Sequence, residues 1–92
     1  MLKLQVTTQF KKDYKKCEKR GLDMKLLQDV LGMLLNEQPL PGKNHDHALT
    51  GNYSGFRECH IMPDWLLIYM IQNDVLILIA SRTGTHSDLF GK

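Results

Sequence analysis

Three histidines, one carboxylate and two arginines fall at the ends of strand-like runs in the second half of this sequence. His47 lies in Asp46-His47-Ala48-Leu49-Thr50-Gly51. Arg57, His60 and Asp64 lie in Phe56-Arg57-Glu58-Cys59-His60-Ile61-Met62-Pro63-Asp64-Trp65, and Arg82 and His86 in Arg82-Thr83-Gly84-Thr85-His86-Ser87-Asp88-Leu89-Phe90. Histidine can give and take a proton near neutrality, so the set offers general acid–base chemistry with cations at hand. The same residues offer a second chemistry. His45-x-His47, His60, Asp64 and His86 could supply nitrogen and oxygen ligands to zinc. The chain has no HExxH and no paired CxxC, so no metal and no cofactor is expected. Taken singly, each residue also has a plain structural reading: His60 as a half-buried strand histidine, Asp64 after Pro63 as a turn residue, Arg57 and Arg82 as surface charges, Trp65 as core.

The elements that must position these residues can be read from spacing. Leu2, Leu4 and Val6 alternate as in a short strand, and Thr7 or Thr8 can cap the helix that follows. In that helix Phe10, Tyr14 and Cys17 form an apolar stripe, with Lys11, Lys12, Lys15, Lys16 and Lys19 on the other face. The lysines read either as a solvated surface or as a contact for structured RNA. Gly21 ends the helix and Asp23 caps a second one, whose apolar face is Met24, Leu27, Val30, Leu31, Leu34 and Leu35. Pro39-Leu40-Pro41-Gly42 stops it and opens a loop that runs to Gly55.

Strands are expected over 56–62, 65–71 and 75–81, with turns at Pro63-Asp64 and Gln72-Asn73-Asp74. The links are too short for crossover helices, so the three strands form an antiparallel meander. In that arrangement the 62–65 turn and the end of the third strand meet at one edge of the sheet, bringing Asp64 towards Arg82 and His86. Ser87-Asp88-Leu89-Phe90 reads as one helical turn with Phe90 packed on the sheet. The fold class is α+β, an N-terminal strand and helical hairpin on one face of a small antiparallel sheet.

Ninety-two residues make a single domain, 1–92, with one core. Neither a signal peptide nor a membrane span is expected from the apolar runs. Cys17 and Cys59 do not form a disulfide framework and read as reduced thiols of a cytoplasmic protein. Residues 1–25 hold eight of the twelve Lys and Arg against three carboxylates, a local charge of +5 that leaves −3 for the rest. Charge segregated in this way suits an anionic partner.

Across the three blocks quoted above, in the order and spacing they have here, the chain resembles the YafQ branch of the RelE-like bacterial toxins. The resemblance implies the toxin of a type II toxin–antitoxin system: a ribosome-dependent, metal-independent mRNA endonuclease that inhibits translation. Carried over by motif position, it implies His47, His60, Asp64 and His86 as catalytic residues, with Phe90 completing the site. It makes Arg82 the phosphate-stabilising cation, adds Arg57 as a substrate contact, and turns Lys11, Lys12, Lys15, Lys16 and Lys19 into candidate contacts for ribosomal RNA. His45 stands where relatives often carry a basic residue and is assigned no role; Glu58 stands where some have aspartate, and its role is open. The partners implied are a cognate antitoxin of ribbon-helix-helix type, the ribosome and its mRNA, and operator DNA reached through the antitoxin complex. The alternative is a catalytically silent module that acts only in operon autorepression.

Overall fold

The computed structural model describes residues 1–91. Strand β1 (Lys3–Val6) leads into helix α1 (Thr8–Lys19), and Thr7 is the residue that caps it, its hydroxyl accepting from Phe10 N at 2.9 Å. The buried seam of α1 is Phe10, Asp13 and Cys17, so a carboxylate occupies a position that Tyr14 was expected to share. Gly21, at φ +81°, supplies the left-handed turn after the helix. Asp23 accepts from Lys25 N and starts α2 (Met24–Leu35), which buries Leu27, Val30, Leu31 and Leu34, one face at helical spacing.

The segment expected as plain loop is built more closely. It holds a 3₁₀ turn at Gly42–Asn44, a two-residue strand β2 (His47–Ala48) and a second 3₁₀ turn at Gly51–Tyr53. The meander follows as β3 (Arg57–Met62), β4 (Trp65–Gln72) and β5 (Ile77–Gly84), and a short helix α3 (His86–Phe90) closes the description. The last strand is displaced from 75–81. Val75 and Leu76 are apolar but sit exposed in the hairpin turn, with Leu76 left-handed at φ +56°. Arg82 and Thr83 are thereby drawn into the ladder.

The sheet order is β1-β5-β4-β3-β2, antiparallel except for β1, which runs parallel to β5 in register Lys3↔Ile77 to Val6↔Ala80. The near-continuous apolar run of β4 follows from burial on both faces. Trp65, Leu67 and Tyr69 face the two long helices, together with Cys59, Leu78 and Ala80. Leu66 and Ile68 face the other way, beneath Leu49, Tyr53, Phe56 and Leu89. Each of these large side chains adds about 1.5–3 kcal/mol when fully buried. Trp65 is core, and its indole N–H donates to Thr83 Oγ1 at 3.0 Å, leaving the buried ring no unpaired donor. In α3 it is Leu89 that packs on the sheet, while Phe90, expected there, stays 38% exposed.

Candidate active site

Strand alternation selects the site face. On β3, Glu58 and His60 stand opposite Ile68 and Leu66, on the face away from the long helices, whereas Cys59 and Ile61 point into the helix-side core. β2 pairs His47 with Glu58. The Glu58 carboxylate is 7% exposed, and its Oε1 lies 3.5 Å from His47 Nε2 and 3.6 Å from His60 Nε2. The two imidazoles therefore share one nearly buried carboxylate, at charge–charge rather than tight hydrogen-bond distance.

The third histidine arrives through the ladder. Register pairs Met62 with Trp65 and Leu66 with Gly84, so the Pro63-Asp64 turn lies beside the start of α3. Asp64 Oδ1 accepts from the His86 backbone N–H at 3.1 Å and from Nδ1 of the same residue at 2.7 Å. The side-chain bond to His86, reinforced by the backbone one, holds the Asp64 carboxyl below its ordinary pKa. A carboxylate only accepts, so Nδ1 carries the proton and Nε2 is left for other work. His86 and His60 sit with ring centroids 5.8 Å apart, edge to face. His47 is oriented by the same logic: its Nδ1 donates to the carbonyl of His45 at 2.6 Å, which leaves Nε2 towards Glu58. His47, His60, Asp64 and His86 thus form one connected group, Glu58 joining the first two and the His86 ring meeting that of His60.

The cations are divided. Arg82 adjoins this face, with Nε and Nη2 donating to the two oxygens of Asp13 at 2.8 and 3.2 Å, and Tyr53 beside it. The bond to Asp13 raises the Arg82 pKa further and fixes the guanidinium plane. Arg57 does not join the group. It pairs with Tyr69 across the ladder, and its odd position in β3 turns it to the helix side. There it donates to Asp46 at 3.3 Å, and Asp46 also accepts from the Tyr69 hydroxyl. Phe90 meets Tyr53 edge to face at 5.7 Å, and Tyr53 meets Phe56 likewise at 6.2 Å, giving a small aromatic patch next to Arg82. Lys11, Lys12, Lys15, Lys16 and Lys19 are all exposed, but Lys16 is turned to Asp88 at 3.2 Å.

Sequence reasoning passed over three of these participants. Glu58 carries no role from sequence alone, and its signal is its i, i+2 spacing to His60. Tyr53 gave no signal beyond its place in a turn. Asp13 could have been found from its spacing, three residues after Phe10 and four before Cys17, on a helix otherwise rich in lysine.

Residues 2–91 match the family model described as the bacterial toxin of type II toxin–antitoxin system, YafQ. This chain belongs to the YafQ family. The mRNA interferase toxin YafQ of Escherichia coli K12 is 40% identical over 89 residues, 96% of this chain and 95% of that protein. Among solved structures, YafQ from E. coli BL21(DE3) superposes with a TM-score of 0.92 at 38% identity, covering 99% of this chain and 100% of that one. A toxin from Helicobacter pylori described as metal-bound gives 0.92 at 47% identity, covering 98% and 100%. YafQ in the E. coli DinJ–YafQ complex gives 0.90 at 39% identity, covering 99% and 100%. The α+β architecture expected from the sequence is therefore that of the YafQ toxins. Among the described residues of this YafQ-family toxin, no three His, Cys, Asp or Glu side chains are grouped to hold a metal ion, and no helix is long and apolar enough to cross a membrane.

Proposed function

We propose that this toxin is a ribosome-dependent endoribonuclease that cuts mRNA by acid–base catalysis at the RNA 2′-hydroxyl, without a metal. The observation that carries the reading is the Asp64–His86 dyad set 5.8 Å from His60, beside a second histidine whose proton position is fixed.

His47 is the base. With its proton on Nδ1, its Nε2 lone pair takes the proton of the 2′-hydroxyl, and Glu58 stabilises the imidazolium that forms. The 2′-oxygen attacks the adjacent phosphorus, the bond from phosphorus to the 5′-oxygen breaks, and His86, protonated on Nε2, donates to the leaving oxygen. Asp64, by accepting the Nδ1 proton, orients that Nε2. The products are a 2′,3′-cyclic phosphate and a 5′-hydroxyl end. His60, between the two, shares Glu58 and is the alternative base. Each positioned proton transfer contributes roughly 10²–10⁴ in rate. The Arg82 N–H groups not engaged by Asp13 meet the phosphoryl oxygens, where charge accumulates in the transition state. Phe90 and Tyr53 stack on a base. Arg57, held by Asp46 on the other face, is left out of the substrate contacts.

Lys11, Lys12, Lys15 and Lys19 face ribosomal RNA, with Lys16 at the margin. The toxin works in the cytoplasm and is held inactive by an antitoxin of ribbon-helix-helix type, through which the complex reaches operator DNA. The solved DinJ–YafQ complex supports the antitoxin partnership.

The test is cleavage of a defined mRNA on purified programmed ribosomes, wild type beside His86→Ala, with and without EDTA at constant free magnesium. Cleavage by the wild type alone, indifferent to EDTA and blocked by a 2′-deoxy substitution at the cut site, is the expected result. Loss of cleavage on chelation would overturn the metal-free chemistry.

A further inference from the structure

His60 also borders a depression of about 550 Å³ walled by Leu26, Lys43, His45, Ile61, Met62 and Pro63. Its construction is specific. Asn44, itself buried, donates from Nδ2 to the His60 carbonyl at 2.7 Å and pins the 3₁₀ turn onto β3. His45 then adopts the left-handed conformation, φ +47° and ψ +46°, which is uncommon for a residue with a side chain. Its N–H bonds back to Gly42 O at 3.1 Å, its carbonyl holds the His47 ring, and its own ring meets His60 edge to face at 5.5 Å. The ladder is irregular between His60 and Met62, and Met62 is left 46% exposed and Leu26, which lines the same depression, 38%. Among the described residues no carboxylate lines the depression, and Lys43 supplies a cation.

Two imidazoles, apolar walls and a lysine suit an unstacked nucleotide. Single-stranded RNA is bound by stacking splayed bases on such surfaces and meeting their phosphates with cations. We infer that this depression is a nucleobase subsite, taking the nucleotide next to the scissile phosphate and biasing which sites are cut. The inference rests on the endonuclease reading above. His45 is then a specificity-determining residue.

The experiment is sequence-resolved mapping of 5′-hydroxyl ends on ribosome-bound mRNA for wild type, His45→Asn and Met62→Ser, with folding checked by circular dichroism. Asparagine tolerates the left-handed backbone, so the first variant removes the ring without forcing the turn. The expected result is a reordered ranking of cut sites and a KM raised about tenfold at the wild type's favoured site, with kcat changed far less, since lost base stacking weakens ground state and transition state alike. An unchanged ranking and KM in both variants would overturn the subsite while leaving the endonuclease standing. Unchanged cleavage with weakened inhibition by the antitoxin would assign the depression to a protein side chain and overturn the nucleobase. No cleavage by wild type would remove the endonuclease reading and the subsite with it.

Discussion

Asp13, on the first helix, and Arg82, on the last strand, are joined by two hydrogen bonds of 2.8 and 3.2 Å, and the same carboxylate accepts from Thr83 N at 3.2 Å. Gln9 Nε2 donates to Asp13 as well. This nearly buried carboxylate fixes one edge of the Arg82 fork and leaves the remaining donors for an anion. Asp13→Asn keeps the shape but removes the charge, and two of the donors then face an amide that cannot accept as a carboxylate does. We expect a loss of about 2 kcal/mol in urea unfolding, together with a lower cleavage rate. Arg82→Lys, which lacks the fork, is expected to lower kcat by about 10²-fold in the same ribosome assay.

The second prediction concerns the Asp64–His86 dyad. Asp64 has its folded pKa lowered by its bonds to His86. The stabilisation from a lowered carboxyl is present above the unfolded value and is lost as pH falls through the folded one. A carboxyl-carbon NMR titration should therefore place Asp64 below the ordinary aspartate value of about 3.9. In His86→Ala the midpoint should move back up. An unshifted wild-type midpoint would mean that the dyad does not persist in solution.

A third concerns α3, which carries both His86 and Phe90. Asp88 completes a capping box with Thr85 and accepts from Arg20 at 2.6 and 3.0 Å and from Lys16 at 3.2 Å. Arg20 chiefly, then the Thr85 N–H and Lys16, hold the Asp88 carboxyl well below the ordinary carboxylate range. The sign is again that of a lowered group: the clamp is complete above the ordinary carboxyl pKa and weakens only as pH falls through the depressed value. Amide exchange at Leu89 should accelerate in Asp88→Ala and, to a smaller degree, in Arg20→Ala. Gly84→Ala should accelerate it too, because a Cβ there would lie 2.9 Å from Asp88 Oδ2 on a backbone at φ +150°. Equal exchange in all four proteins would show that α3 is held by Leu89 alone.

Fourth, the two cysteines should be silent. Burial pushes the Cys59 thiol up to about 12 and raises that of Cys17 as well. Thiol-specific reagents at neutral pH should label neither in the folded protein, with labelling appearing only along the unfolding transition. Rapid labelling of Cys59 under native conditions would contradict its place in the core.

What the sequence disclosed was mostly local. Gly21 and Asp23 are punctuation whose effect is confined to a turn, and the face of α2 is a spacing of apolar residues that no distant contact alters. The convergence of Asp64 and His86 was legible because a meander with short links leaves few topologies. Distant pairings were not legible. Nothing in Lys3–Val6 states that its neighbour is Ile77–Ala80, or that the pairing is parallel. Asp13 was hidden because a carboxylate among lysines reads as surface until its partner across the fold is known. Val75 and Leu76 suit a strand by composition, and only the hairpin geometry excludes them. Arg57 and Glu58, adjacent in sequence, part company because alternation sends one to each face.

Several long-range bonds stitch the first twenty residues to the last fifteen described: β1 to β5, Thr7 Oγ1 to the Ser81 carbonyl at 2.7 Å, Asp13 to Arg82, and Arg20 to Asp88. Contacts so far apart in sequence form late, because the intervening chain must first be closed into a loop. During synthesis, α1 has no strand to lie on until residues 77–84 have emerged, and the histidine dyad has no scaffold before then. On the cleavage mechanism proposed above, a newly made molecule is therefore harmless for as long as its C-terminal segment is still being made, and whatever restrains it has that interval in which to arrive.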